Sequence, residues 1–378
     1  MQAIVSIQLL RAVAAIGVAA FHVQFDLQRY YGLGHLLPDL TVGAAGVDLF
    51  FVISGFIMAW TSGHLFGTRG AASGFLWRRV ARIVPLYWAV TALYLGITLV
   101  LPGSGPSYSP VDVAASLLFI PALRPDGTIV QPIVGQGWSL NYEMFFYGLF
   151  AIALLFRRSL GLSLLCLMFT GLVAAHFTFD LGTILHFWTM PLILEFVFGL
   201  SIGIAARSGF VLPRYLAVAL ISAGLILLFA PWAPIPTESN RPFVWGIPAA
   251  MIVAGLVLGR LEPKRFRWSI LTLGDASYAL YLLHALCARA VLLVAAHLGL
   301  DLSSLAWPLL LVSVSLGVAI SVVVHMLFER PVSNWLKLCW RPAQGMDVSS
   351  SSFDPSPTEK AGATLVTQAV SSNSASGA

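Results

Sequence analysis

Residues 5–25 read VSIQLLRAVAAIGVAAFHVQF. The run holds a single formal charge, Arg11, and no proline. A hydrocarbon core about 30 Å thick is crossed by roughly 20 mostly apolar residues in a helix. Lipid offers no hydrogen bonds, so a spanning segment must satisfy its backbone internally, which a helix does and a lone strand or loop does not. The run starts almost at the beginning of the chain and is followed by no small-residue cleavage site. It is therefore expected to stay as a first span rather than be removed as a leader.

Working outward, nine further runs of the same kind fall at 41–62, 84–101, 138–156, 160–179, 184–206, 215–230, 243–259, 277–296 and 305–328. The segment 111–123, bounded by Pro121 and Pro125, is too short to cross and reads as interfacial or re-entrant. The expected fold is all-α: a polytopic integral membrane protein of about ten transmembrane helices. Composition agrees, with 58% hydrophobic and only 10% charged residues over 378 positions and a mean hydropathy of +0.87. Soluble domains carry about 25% charged residues, so a soluble enzyme, a disordered scaffold and a disulfide-stapled secreted domain are excluded. No internal repeat is visible, which argues against an inverted-repeat transporter.

The net charge of +5 raises the question of nucleic acid, and its distribution answers it. Lysine and arginine fall in short clusters between apolar runs, with no basic patch interleaved with aromatics, so no nucleic-acid partner is expected. With the N-terminus cytoplasmic, one side collects Arg69, Arg78, Arg79, Arg82, Arg157, Arg158, Arg207, Arg214, Arg260, Lys264, Arg265, Arg267, Arg330, Lys337, Arg341 and Lys360. The other collects Arg29, Arg124 and Arg241. Positive loops stay in the cytoplasm, so both termini are expected there. Residues 1–340 are expected to form the membrane domain and 341–378, rich in Ser, Ala, Thr and Gly, a disordered cytoplasmic tail. Cys166, Cys287 and Cys339 have neither metal nor redox spacing, and neither a metal nor a disulfide is expected.

Ionisable groups inside apolar runs are costly, which makes each a candidate for function. Arg11 and His22 share the first run, Asp48 the second, Glu143 the fourth, Glu195 the sixth, and His284 and Arg289 the ninth. Eleven residues at about 100° each return within roughly 20° of the starting direction, so Arg11 and His22 lie on one helix stripe three turns apart. The plain reading is an arginine snorkelling to one headgroup layer and a histidine at the other. Glu143 has a plain reading too, as an inter-helix hydrogen bond, and Asp48 as a cap or a partner for Arg11. Glu195 is open between pairing with Arg289 and lining a cavity.

Six motifs then fall in order. They are Leu9-Leu10-Arg11 with His22, Gly46-Val47-Asp48-Leu49-Phe50-Phe51 running to Ser54-Gly55-Phe56, and Arg78-Arg79-Val80-Ala81-Arg82. After them come Trp138-Ser139-Leu140-Asn141-Tyr142-Glu143 with Tyr147, Ser277-Tyr278-Ala279-Leu280-Tyr281 with His284, and Phe328-Glu329-Arg330-Pro331. Together they resemble the acyltransferase-3 family of membrane proteins over roughly residues 6–335, with Ile7-Gln8 pointing towards its exopolysaccharide-acetylating branch.

The resemblance implies transfer of a short acyl group, usually acetyl, from acetyl-CoA or another short acyl-CoA to a hydroxyl of an extracytoplasmic or lipid-linked glycan, in a bacterial cytoplasmic (inner) membrane. It implies a glycan or lipid-linked oligosaccharide as acceptor, membrane lipids around the chain, and glycan-assembly proteins as partners. The family's functional histidine maps onto His22, whose imidazole suits a general base near neutral pH, with Glu143 or Asp48 as its orienting carboxylate. Arg78, Arg79, Arg82 and Arg11 are candidates for holding the donor's phosphates, against the plain reading of a topogenic cluster. Trp138, Ser139, Tyr281 and His284 are candidates for binding substrate, His284 also being a fair packed histidine. Ser54 is a candidate acyl relay without an evident base, and its neighbour Gly55 suits close helix packing. His22 lies about 16 Å above Arg11, so the donor's acyl arm is expected to climb a pore to meet the sugar. The competing function is a transporter or flippase for a polysaccharide precursor, with the buried charges lining its path.

Overall fold

The computed structural model describes residues 4–100, 106–230 and 234–339. The expected tail, 341–378, lies outside the described residues. Helices follow one another as α1 (Val5–Tyr31), α2 (Gly46–Ser62, entered through a tight turn at Thr41–Ala45), α3 (Ala71–Val100), α4 (Pro110–Leu117), α5 (Trp138–Ala153), α6 (Arg158–Thr178) and α7 (Thr183–Thr189). They continue as α8 (Leu194–Arg207), α9 (Arg214–Leu228), α10 (Ile247–Leu258, entered through a π turn at Pro242–Gly246), α11 (Arg267–His297), α12 (Ala306–Val324) and α13 (Arg330–Cys339). Among the described residues there is no strand, only one isolated bridge between Leu123 and Val130.

The described residues of the apolar runs are mainly helical, the run at 184–206 being broken at Met190. Seven helical stretches among the described residues are long and apolar enough to cross a membrane: Val5–Tyr31, Thr41–Ser62, Ala71–Val100, Arg158–Thr178, Thr183–Arg207, Arg267–His297 and Ala306–Cys339. Arg214–Leu228 and Pro242–Leu258 are shorter apolar helices, and α5 has 16 residues. The segment expected to be interfacial is the short helix α4. Ser109 and Asp112 close a capping box at its start, with Pro110 in the first turn. Large apolar side chains such as Leu167, Leu293 and Leu311 stand more than 60% exposed on the outside, a surface that only a lipid environment accommodates.

The bundle is organised on α1. It runs beside α11 in the same direction, since Gln8 reaches Asp275, His22 stacks near His284 and Asp26 pairs with Arg289. It crosses the start of α2 where Gly43 lies on Gly17 and Gly46 on Ala14. Two glycines lock α2 to α8: a Cβ on Gly55 would strike the Phe196 carbonyl, and one on Gly199 the Val52 carbonyl. Small residues let the two backbones touch. Gly32 ends α1 in the left-handed conformation and donates to the carbonyls of the last turn. Beyond it Gln24 holds the return loop, donating to Gly34 and Pro38 and accepting from the Leu40 amide.

Candidate active site

Two of the cavities among the described residues are lined by the buried ionisable groups. The inner one, about 80 Å³, is lined by residues of α1, α2, α3, α5 and α11, among them Arg11, Ser54, Arg79, Arg82, Glu143 and Tyr147. Arg79 and Arg82 are three apart and so share a face of α3, whereas Arg78 points away and is exposed. The structure thus separates the basic cluster into two lining arginines and one outside. Arg79 sits over the rings of Phe75 and Tyr147 at 5.4 and 5.5 Å. Arg11 is 8% exposed and donates to Gln8 at 3.0 Å, which donates in turn to Asp275 at 2.7 Å.

Ser139, Glu143 and Tyr147 recur at four-residue spacing on one face of α5. The Glu143 carboxylate accepts from the Ser54 hydroxyl at 3.0 Å and from the Tyr147 hydroxyl. Ser54 therefore has the carboxylate partner that its sequence context did not reveal. Among the described lining residues three arginines face one carboxylate.

The outer cavity is larger, about 630 Å³, and is lined by His22, Gln136, Trp138, His186, Glu238, Arg241 and Trp245 among others. His22 Nδ1 lies 2.9 Å from the Val18 carbonyl. A carbonyl only accepts, so Nδ1 carries the hydrogen and Nε2 keeps its lone pair. Neither expected carboxylate orients His22; a backbone carbonyl one turn back does so. Glu143 lines the other cavity, and Asp48 is engaged elsewhere. The His284 ring lies 4.7 Å from His22. His284 is buried, with Nδ1 3.1 Å from the Leu280 carbonyl and no partner for Nε2 among the described residues.

Asp48 is fully buried and holds Arg241 by two bonds, Nε to Oδ1 at 2.8 Å and Nη2 to Oδ2 at 2.9 Å. The guanidinium is also sandwiched over Trp245 at 4.9 Å and Trp138 at 5.5 Å. Arg241, counted from sequence as a loop charge, is instead Asp48's counter-ion and part of the cavity wall. Arg11 bonds to Gln8 instead of Asp48. Glu195 lines neither of these two cavities among the described residues, and it is fully buried against Gly246. Arg289 takes Asp26, at 3.4 Å. Asp26 sits inside α1, not in a loop, because that helix runs on past the apolar stretch to Tyr31.

Val47 and Tyr281 line both cavities. The Tyr281 hydroxyl donates to the Gln136 carbonyl at 2.8 Å, which leaves the Ser139 hydroxyl, 2.7 Å away, to donate to Tyr281. Trp138 and Ser139, adjacent in sequence, thus serve different cavities, Trp138 the outer and Ser139 the inner. Sequence reasoning did not single out Arg241 or Gln136. The available signal was a lone arginine at the head of a span on the side poor in positive charge. Among the described residues no group of three His, Cys, Asp or Glu side chains could hold a metal.

The acyltransferase domain model matches residues 4–326. The exopolysaccharide production protein ExoZ of Rhizobium meliloti (strain 1021) is 35% identical over 302 residues, covering 77% of this chain and 90% of that protein. The acyltransferase MdmB of Streptomyces mycarofaciens is 28% identical over 313 residues, covering 74% of this chain and 78% of that protein. No solved structure matches the chain significantly. The domain match takes in both cavities and every side chain that lines them, so the chain belongs to the acyltransferase-3 family and is a multi-pass membrane acyltransferase.

Proposed function

We propose that the chain transfers a short acyl group, in the first instance acetyl, from cytoplasmic acyl-CoA to a hydroxyl of an extracytoplasmic or lipid-linked glycan, such as exopolysaccharide or O-antigen. The observation that carries this reading is the pair of unlike cavities meeting at Tyr281: one small and basic, one wide with aromatic and polar walls. A cavity needs about 10–15 Å³ per water-sized group, so the inner chamber takes a few heavy atoms and not a nucleotide. It suits the thioester tip of the donor. The phosphates belong at its mouth, where Arg79 and Arg82 supply forked donors and exposed Arg78 adds positive charge.

The wide cavity suits a sugar. Trp138 and Trp245 offer flat apolar faces, and Gln136, His186 and Glu238 offer polar groups. In the reaction His22 Nε2 takes the proton of the acceptor hydroxyl as its oxygen bonds to the acyl carbon. The carbon–sulfur bond breaks and the thiolate of CoA leaves, to be protonated afterwards. Glu143, fixed by Ser54 and Tyr147, balances the arginines around the thioester. Asp48 acts through Arg241, holding it between two tryptophans of the acceptor wall. His284 packs behind His22. The basic loops support ten crossings with both termini in the cytoplasm of a bacterial inner membrane, and the ExoZ relationship supports a glycan acceptor.

The test is transfer of radiolabelled acetyl from acetyl-CoA to cell-envelope glycan, in membranes holding wild-type or His22→Ala protein at equal abundance. A lost general base costs about 10²–10⁴-fold, so the variant should label at the background level. Equal labelling would remove His22 from the chemistry. No labelling with wild-type protein would overturn the acyl-CoA reading.

A further inference from the structure

We infer that Asp26, one turn outward of His22 on α1 and paired with Arg289 of α11, is the carboxylate that backs the base: its buried charge favours His22 in the protonated form that the imidazole takes on receiving the acceptor's proton. Asp26 acts through His22 and is a positioning residue, not a catalytic one. This deepens the reading of His22 as general base and rests on it.

The Val18 carbonyl, 2.9 Å from Nδ1, fixes the tautomer of His22 but supplies no full charge. A proton taken at Nε2 turns the ring into a cation, and a cation held away from water needs an opposite charge near it. The carboxylates expected from sequence are committed elsewhere, Glu143 to Ser54 and Tyr147 and Asp48 to Arg241. Asp26 follows His22 by four residues, so the two share a face of α1 with their Cβ atoms about 5–6 Å apart. In a helix the Cα–Cβ bonds tilt towards the N-terminus, so Asp26 leans back over the turn that carries His22. Each side chain lies in the other's field.

Burial decides which charge of the ion pair His22 feels. Asp26 is 2% exposed. The Arg289 guanidinium approaches it to 3.4 Å, with its side chain 43% exposed against 3% for that of Asp26, and Asp26 Oδ2 accepts no hydrogen bond among the described residues. Arg289 therefore compensates the carboxylate from the outside without the two-bond fork by which Arg241 takes Asp48. Solvent and salt screen an exposed charge more than a buried one, so the net field at His22 is that of the carboxylate. The plain role of the same pair is to fasten α1 to α11.

The other titratable groups around these two side chains come from several elements. His284 and Tyr281 face them from α11, Tyr94 from α3, and Arg29 and Tyr30 from the end of α1. Helix α12 carries no ionisable side chain, and the return loop brings His35 and Asp39 to the far side of Phe21. Across the outer cavity stand His186, Glu238 and Arg241, the last held by Asp48 of α2. Of the carboxylates among them, Asp26 is the one on the same helix face as His22.

The experiment follows acetyl transfer to cell-envelope glycan against pH, with acetyl-CoA saturating and acceptor limiting, in membranes holding wild-type, Asp26→Asn or Arg289→Gln protein. Under these conditions the profile reports the groups that titrate before the acceptor binds. The rate rises with pH as His22 loses its proton, and the midpoint of that rise is independent of how much protein has folded. An opposite charge within about 4–6 Å moves such a midpoint by about 1–3 units. Asp26→Asn should therefore lower it by about one unit or more, because the protonated ring loses its support. Arg289→Gln breaks the same ion pair but keeps the carboxylate, and should leave the midpoint at or above the wild-type position. Carbethoxylation of His22 by diethyl pyrocarbonate, which attacks the neutral ring, should show the same order by mass spectrometry. That measurement needs no turnover and decides for a variant that is silent in transfer.

An unmoved midpoint in Asp26→Asn would overturn the inference and leave the acyltransferase reading standing. So would equal lowering by both variants, since the pair would then only fasten the two helices. Undiminished transfer by His22→Ala would overturn the reading of His22 as base, and the role of Asp26 with it.

Discussion

The Asp48–Arg241 pair shows what one residue's surroundings do to its role. The carboxylate is fully buried, both its oxygens are engaged, and the guanidinium lies between two indole rings. Removing one partner leaves the other charge buried and uncompensated, a change that costs about 3–5 kcal/mol, whereas replacing both can be close to neutral. Asp48→Asn should therefore lower the thermal midpoint of the detergent-solubilised protein sharply. Asp48→Asn combined with Arg241→Gln should recover most of that loss while the acceptor KM stays high, because the wall between Trp138 and Trp245 loses its cation. A double variant no more stable than Asp48→Asn would rule out the pair as a stabilising unit. The individual residues of the site were largely legible: an ionisable group in an apolar run stands out, and Arg11, His22, Asp48 and Glu143 all line a cavity or hold a residue that does. Their pairing was not legible. Which carboxylate meets which arginine is set by the register between helices far apart in the chain, and Asp48 and Arg241 are 193 residues apart. Arg241 was hidden for a second reason. It sits two residues before the apolar run, where a loop cation and a buried counter-ion look alike.

At the level of elements, the apolar runs gave the order of the helices but not their lengths. The run beginning at 277 belongs to a helix that starts at Arg267, and the run beginning at 84 to one that starts at Ala71. Hydropathy stops at the edge of the lipid, whereas backbone hydrogen bonds continue into polar sequence such as Gln28 and Arg29 of α1. Contact between helices follows glycine more closely than hydropathy. At Gly55 and Gly199 the α2 and α8 backbones touch, and an added methyl on either meets a carbonyl that cannot rotate away. Overpacking typically costs about 1–3 kcal/mol and occasionally more. Gly55→Ala and Gly199→Ala should each lower thermal stability by at least that amount and, by parting α2 from α8, misplace Ser54 on Glu143 and reduce transfer. Gly171 in α6 is the control, since nothing lies within 4 Å of its added Cβ. Gly171→Ala should be neutral or stabilising, because alanine is the better helix former by about 1 kcal/mol. Equal behaviour of all three variants would show that the glycines do not set the helix contact.

Across the whole molecule the two cavities divide the substrates by charge as well as by size. Arg11, Arg79 and Arg82 against Glu143 leave the inner chamber positive, with Arg78 exposed nearby. Among the described lining residues of the outer cavity, the one arginine is neutralised by Asp48, and Glu238 adds negative charge. On the function proposed above, a polyanionic donor is drawn to one end of the bundle and a largely uncharged sugar is accepted at the other, the two meeting where both cavities reach Tyr281. Exposed charges beyond a Debye length are screened, and that length falls from about 10 Å at 0.1 M salt to about 3 Å at 1 M. Raising ionic strength should accordingly raise the KM for acetyl-CoA and leave the acceptor KM nearly unchanged. Arg78→Gln should flatten that dependence more than it lowers kcat, because Arg78 contributes field at the mouth and lies outside the chamber. Sidedness follows from the same asymmetry. In sealed vesicles of known orientation, acetyl-CoA should support labelling only when supplied on the face bearing Arg78, and free CoA should inhibit only from that face. Labelling with donor supplied on the His22 face would mean that the basic end is not the donor's entrance. Equal salt dependence of both KM values would mean that the two cavities do not divide their ligands by charge.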